Sequence, residues 1–464
     1  MRLLVTALAP SHLLCMVPTA WAARAAGHEV LVVGRAEVAR AARRAGLPAA
    51  ELTQAPAAAG TGADTGPAGV PAGGPDPGLP RMERVLTEAQ RQSFAGRVWP
   101  AGGHPWQVRV GRVVDAFLAV ARQWRPDLIL CDPIEFTGLV VGAVTGVPVV
   151  VQRWGGPDSM SAEAITRARV VLAEAAAALG AADGIPAPVL TVDPCPPSLR
   201  LDTSTEVESV RFVPYNGPQQ LPSWARTKPP WPRVCVTFGL FGSKAAMSGA
   251  DFIEGGDLAA RFDAVVEALR PRADLDVVLT VPEAVQPLLR PAPDRFRIVA
   301  HAPLDALLAT CDAVVHHGGT GTAMTACARG VPQLLLPPPH PALADCAAGL
   351  VGRGVGRALQ GAAQTDHLAL RSALDALLGE GESEGEGEDA DAATSADAAT
   401  SADAGTSAGA DTRADAGTRA GAGADHAVAG AGRSGCRGHA RVLAEEIAAQ
   451  PSPADLVPLL ADLA

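Results

Sequence analysis

Tyrosine occurs once and phenylalanine nine times in 464 residues, so the wall of any large ligand pocket is expected to be mostly aliphatic. The eight cysteines are scattered without paired spacing, and no C-x-x-C occurs. That pattern excludes a disulfide framework and a structural zinc site, and it suits a reducing cytoplasm. No run of about 20 apolar residues offers a membrane span. Met1 to Leu8 is apolar but reads as a strand, and Pro10, Ser11 and His12 interrupt it before a signal sequence could develop. Basic charge is also scarce. The net charge is -11, and residues 380–425 carry twelve acidic groups against two basic ones. The rest of the chain is close to neutral, which leaves no basic surface for nucleic acid.

The acidic stretch, 379–437, repeats Asp-Ala-Ala-Thr-Ser-Ala-like units and holds almost no large apolar residue. It cannot repay the entropy of ordering and reads as a disordered insertion, a solvated spacer. Residues 57–80, rich in Gly, Pro, Ala and Thr, read as a second flexible loop.

Elsewhere strand and helix alternate. Leu3 to Ala7, Glu29 to Val33, Leu128 to Leu130 and Val147 to Val151 read as strands. Met16 to Ala26, Glu37 to Ala45, Val108 to Gln123 and Phe136 to Thr145 read as helices. After a proline-rich stretch between Pro214 and Pro232 the alternation restarts at Val234 to Phe238 and continues to about Leu378. An amphipathic stretch, Ala440 to Ala449, and a terminal helix from Ala454 close the chain. The pattern predicts an α/β protein of two doubly wound parallel sheets with a ligand cleft between them. The expected division is 1–215, a hinge at 216–232, 233–450, and a C-terminal helix at 451–464.

The most informative segment runs from Cys311 to Gly330. A β-branched strand, Ala313 to Val315, meets His316, His317 and the turn Gly318, Gly319, Thr320, Gly321, Thr322, and a small-residue helix follows. A helix N-terminus presents unpaired amides and a positive dipole end, so the turn suits an anion such as a diphosphate. The spacing fits neither the phosphate loop nor the dinucleotide fingerprint. A tight strand-to-helix turn with two capping histidines would give the same residues, but their place at the carboxyl end of a buried strand favours a ligand.

Four ordered segments carry a resemblance: Ser11 to Val30, R-F-V-P-Y-N-G-P at Arg211 to Pro218, H-H-G-G-T-G-T at His316 to Thr322, and P-S-P-A-D at Pro451 to Asp455. Together they resemble the GT-B glycosyltransferases of actinobacterial antibiotic pathways, especially those that attach deoxysugars to macrolides and related polyketides. The resemblance implies two Rossmann-like domains facing across a cleft, with the C-terminal helix returning to the N-terminal domain. It implies a thymidine diphosphate (TDP) deoxysugar donor held by the C-terminal domain and a polyketide aglycone held by the N-terminal domain. Transfer to an aglycone hydroxyl would proceed with inversion and without a metal or other cofactor. A cytochrome-P450-like activator protein is the partner implied by the macrolide subgroup, although Asp158 to Leu190, where that contact would form, is short and alanine-rich.

Residue by residue, His12 matches the base that removes the acceptor proton, a task suited to an imidazole titrating near neutrality. Asp132, with Glu135 second, is the candidate carboxylate orienting it. His316, His317 and the amides of Gly318 to Thr322 are expected to counter charge on the β-phosphate. Thr237, Gly239 and Ser243 match the loop facing the diphosphate from the other side, and Ala302 and Pro303 lie where relatives bracket the nucleobase. One departure stands out. Relatives place an acidic residue and a polar partner four and five positions beyond Pro337, where this chain has Pro341 and Ala342. His340 and Asp345 are the nearest polar candidates for sugar contact. Transfer to carbon on an aromatic polyketide, a nucleotide-sugar epimerase, and a noncatalytic sugar-nucleotide binder remain as alternatives.

Overall fold

A computed structural model describes residues 1–52, 105–158, 161–201, 206–218, 220–239, 255–338, 341–379 and 435–464. The glycine- and proline-rich loop at 57–80, and residues 380–434 of the acidic stretch, lie outside them.

The N-terminal sheet contains β1 (Arg2–Thr6), β2 (Glu29–Gly34), β3 (Ala49–Glu51), β4 (Leu128–Cys131), β5 (Val149–Gln152), β6 (Leu190–Asp193) and β7 (Glu208–Ser209). Their order is β3-β2-β1-β4-β5-β6-β7, with every pairing parallel. β4 and β5 are buried at every position. Helices on both faces leave no solvated side, which is why Leu128–Cys131 and Val149–Val151 read as unbroken apolar runs rather than alternating ones.

The C-terminal sheet contains β8 (Arg233–Thr237), β9 (Asp276–Thr280), β10 (Arg297–Val299), β11 (Ala313–His316), β12 (Gln333–Leu335) and β13 (Gly356–Ala358). It is also wholly parallel, in the order β10-β9-β8-β11-β12-β13. In each sheet the strand order reverses beside the first strand of its domain, at β1/β4 and at β8/β11. Such switch points are where open α/β sheets bind ligands.

The first helix runs from Pro10 to Ala25, six residues earlier than the sequence pattern predicts. Pro10 starts the helix instead of delaying it, because proline at the first helical position has no amide to leave unpaired. His12 therefore stands in the helix's first turn. At the other terminus, Ser452 and Asp455 form a capping box ahead of the helix Pro453–Asp462. Leu456, Val457 and Leu460 of that helix join Leu13, Met16, Val17 and Ala20 in the N-terminal core. The last helix thus returns to the first domain, as expected.

The seam between the sheets is built from both. Cys195, Leu199 and Phe212 pack in one cluster with Ala323, Met324 and Cys327 and with Leu443 and Ile447. Glu446 accepts hydrogen bonds from the Ser198 amide and hydroxyl at 2.9 and 2.5 Å. Two successive linker residues divide their contacts. The Tyr215 ring lies edge-on to Trp21 of the first helix, with centroids 4.8 Å apart. Asn216 donates to Thr325 Oγ1 at 3.3 Å and accepts from the Asp305 amide at 2.9 Å. The V-P-Y-N-G segment is therefore a clip with one side chain on each domain.

Candidate active site

His12 and Asp132 meet at the β1/β4 switch point. Thr6 and Cys131 are register partners, so the residues just beyond them emerge side by side. His12 Nδ1 lies 3.1 Å from Asp132 Oδ2. The carboxylate is 1% exposed, and its oxygens also accept from the amides of Leu8 at 2.6 Å, Ile134 at 2.9 Å and Glu135 at 3.1 Å. Burial alone would raise its pKa, but His12 and these amides outweigh burial and hold it below the ordinary carboxylate value. An ionised carboxylate only accepts, so the proton between them sits on His12 Nδ1 and Nε2 carries the lone pair. The His12 side chain keeps 18% exposure. The Glu135 side chain instead caps the helix Phe136–Thr145 by accepting from the Thr137 amide at 3.0 Å.

The β8/β11 switch point carries the glycine turn. Thr237 and His316, the last residues of their strands, are register partners. Gly319 caps the helix Thr320–Ala328 without a side chain, and the first amide bonded back to it is that of Ala323, at 2.9 Å. The amides of Thr320, Gly321 and Thr322 therefore have no acceptor within the helix, which is the arrangement an anion needs. Thr237 Oγ1 accepts from the Gly239 amide at 3.3 Å, opposite that turn.

The two histidines differ from expectation. His316 is fully buried, its Nε2 lies 2.8 Å from Gln333 Oε1, and its Nδ1 accepts from the Gly318 amide at 3.1 Å. Both ring nitrogens and the Gly318 amide are thus spent inside the fold, and neither is left to meet a phosphate directly. Burial, partly opposed by the Gln333 hydrogen bond, pushes the His316 pKa down to about 4. His317, 3% exposed, falls to about 3 through burial, with His316 and Arg261 adding to the shift. Both rings are neutral at neutral pH. His316 holds the start of the turn through the Gly318 amide, and His317 fills the space between two glycine loops. A Cβ added at Gly239, which has φ +61°, would stand 2.9 Å from His317 Cε1, and one at Gly319 would collide with His317 Nε2. Glycine at both positions lets two loops close on one imidazole.

Ala302 is buried and Pro303 caps the helix Leu304–Leu308 beyond β10. Asp345 lies half-buried in the helix Pro341–Gly352. Ser243 and His340 fall outside the described residues. Sequence reasoning missed Gln333, which holds His316, Arg261, whose charge acts on His317, and Trp154, whose ring centroid is 4.7 Å from that of His12. Gln333 is a polar residue at zero exposure inside a strand, but its placement beside His316 depends on β12 pairing with β11 and carries no local signal.

Residues 21–239 match the family described as erythromycin biosynthesis protein CIII-like, N-terminal domain, and residues 264–399 match the corresponding C-terminal domain. The chain is similar to the aklavinone 7-beta-L-rhodosaminyltransferase of Streptomyces galilaeus, with 34% identity over 383 residues, covering 72% of this chain and 79% of that protein. It is 31% identical over 387 residues to the 10-deoxymethynolide desosaminyltransferase of Streptomyces venezuelae, with 72% and 80% coverage. Among solved structures it is similar to the spinosyn rhamnosyltransferase SpnG, at 28% identity, a TM-score of 0.70 and full coverage of both chains. SpnG has also been solved with thymidine diphosphate and with spinosyn aglycone.

Proposed function

The chain belongs to the erythromycin biosynthesis protein CIII-like family of GT-B glycosyltransferases, and from that premise we propose that it moves a deoxysugar from a TDP-sugar to a polyketide hydroxyl. The observation that carries the catalytic part is the His12–Asp132 pair at 3.1 Å, set across the switch point of the N-terminal sheet.

In this reading His12 Nε2 takes the proton of the acceptor hydroxyl while the hydroxyl oxygen attacks the anomeric carbon. The bond from that carbon to the β-phosphate oxygen breaks, its electron pair leaves with TDP, and the anomeric configuration inverts. Asp132 steadies the imidazolium as it forms, and its three amide donors keep it ionised throughout. The amides of Thr320, Gly321 and Thr322 meet the charge that builds on the departing diphosphate. We assign His316, His317 and Gln333 to positioning that turn, and Ala302 and Pro303 to the nucleobase. Asp345 is the described candidate for sugar contact. The diphosphate charge is met by backbone amides, so we propose that transfer requires no metal. A cytoplasmic location fits relatives acting on activated sugars, and among the described residues no helix is long and apolar enough to cross a membrane. The activator protein is carried as a proposed partner, tested by comparing turnover with and without it.

Calorimetry with TDP and uridine diphosphate, in EDTA, tests the donor half. TDP should bind in preference to uridine diphosphate. The acceptor half is tested with His12→Ala, which should keep TDP binding and lose transfer to polyketide aglycones. Failure of the well-folded protein to bind either nucleotide would remove the basis for transfer and favour a noncatalytic relative. A product linked through carbon would favour the aromatic-polyketide alternative.

A further inference from the structure

We propose that the loop from Arg153 to Asp158 is the element that holds His12 in its working position, with Trp154 as a positioning residue and Gly156 as its anchor on the donor turn. This rests on the reading of His12 as base and of Thr320 to Thr322 as donor turn.

The loop leaves β5 and touches a different part of the site at each step. Its root is fixed inside the N-terminal domain. The Arg153 amide donates to Val192 O at 2.8 Å, and the Arg153 guanidinium lies 3.3 Å from the buried Asp193 carboxylate. Trp154 then places its ring 4.7 Å from the His12 ring, tilted by 45°. Gly155, with φ +96°, lies so close to the linker that a Cβ would stand 2.9 Å from Phe212 Cδ2. Gly156 crosses to the other domain, where a Cβ would be 2.8 Å from Thr320 Cγ2, at the first residue of the donor-turn helix. Pro157 completes the crossing, since its Cγ would be 2.7 Å from a Cβ on Gly349 in the helix Pro341–Gly352.

Four consecutive residues therefore touch the base, the linker, the donor turn and a C-terminal helix. Asp132 fixes one edge of the imidazole through Nδ1, but one hydrogen bond leaves the ring free to rock about it, and the indole of Trp154 packed beside it, 4.7 Å away between centroids, restricts that freedom. The indole Nε1 is buried with no hydrogen-bond partner among the described residues, so packing and not a hydrogen bond sets the tryptophan's orientation. Because that packing continues through Gly156 to Thr320, an anion that orders the donor turn also orders the base. Catalytic competence would then depend on both domains being in contact.

Hydrogen–deuterium exchange with TDP as the only added ligand tests the coupling without turnover. In the unmodified protein, TDP should slow exchange in the donor turn and also in peptides covering residues 8–13 and 150–156. Pro157→Ala, which loosens the contact with the helix Pro341–Gly352 without pressing on Thr320, should keep the first protection and lose most of the second. Kinetically, Trp154→Leu should lower kcat by about 10-fold or more while TDP affinity stays within about twofold, because a loosened base misplaces the proton acceptor without touching the donor site. Trp154→Phe, which keeps an aromatic face, should restore most of kcat. Protection confined to the donor turn in the unmodified protein would overturn the coupling, as would unchanged kcat in Trp154→Leu. Absence of TDP protection anywhere would overturn the donor-site reading itself, and this inference with it.

Discussion

Acid should unfold this protein through two groups that carry no charge when it is folded. In the unfolded chain His316 and His317 titrate near 6.5, whereas burial takes them to about 4 and about 3 in the native state. Above the unfolded value both states are neutral and the histidines add no pH dependence. As pH falls below it, the unfolded chain binds protons that the folded protein refuses, so unfolding is progressively favoured until the folded rings themselves titrate. Lowering the pH from about 7.5 to about 5 protonates nearly every unfolded ring and few folded ones, which costs about 2 kcal/mol per histidine. The pair together removes about 4 kcal/mol, a large share of the roughly 5–15 kcal/mol that stabilises an ordinary domain. Urea unfolding of the unmodified protein and of His316→Asn at both pH values isolates the effect, because every other titrating group is common to the two. The substitution should lower stability at about pH 7.5, where Gln333 and Gly318 lose a partner, and should shrink the pH-dependent loss by about 2 kcal/mol. Parallel stability curves for the two proteins would refute the idea that His316 is held neutral by burial.

Other consequences follow from single contacts. Asp132→Asn leaves His12 without a partner that stabilises its protonated form, so kcat should fall by about 100-fold or more while calorimetric TDP affinity is retained. Gln333→Leu strands the His316 Nε2 proton in a fully buried site. It should cost about 1–3 kcal/mol of stability and weaken TDP binding several-fold through the displaced turn, with acceptor KM unchanged. Gly319→Ala places a methyl group against the His317 ring, and TDP binding measured by calorimetry should be lost, with transfer falling in consequence. Ser452→Ala removes the capping box of the last helix and should lower stability by about 1 kcal/mol, with kcat essentially unchanged.

The sequence by itself determined the architecture. Runs such as Leu128–Cys131 and Val149–Val151 are apolar throughout and short, and the helices between them keep the spacing that a crossover connection needs, so two parallel sheets were legible without coordinates. Pro-Ser-Pro-Ala-Asp could be recognised as a motif, and its capping-box chemistry is local, spanning Ser452 to Asp455. The glycine turn was legible because it follows directly from a strand end, whereas His12 and Asp132 became candidates through the family resemblance. What each would touch was not legible. The sequence suggested two histidines beside a phosphate, and the structure buries both as neutral rings, His316 bonded to Gln333 and the Gly318 amide and His317 enclosed by two glycine loops. Trp154 is separated from His12 by 142 positions in the chain, and Gly156 meets Thr320 only because the two sheets dock along the seam of Phe212, Met324 and Leu443. Periodicity and spacing encode which face of an element is buried, whereas contacts between distant elements depend on how the sheets are stacked, and that was decided only by tertiary packing.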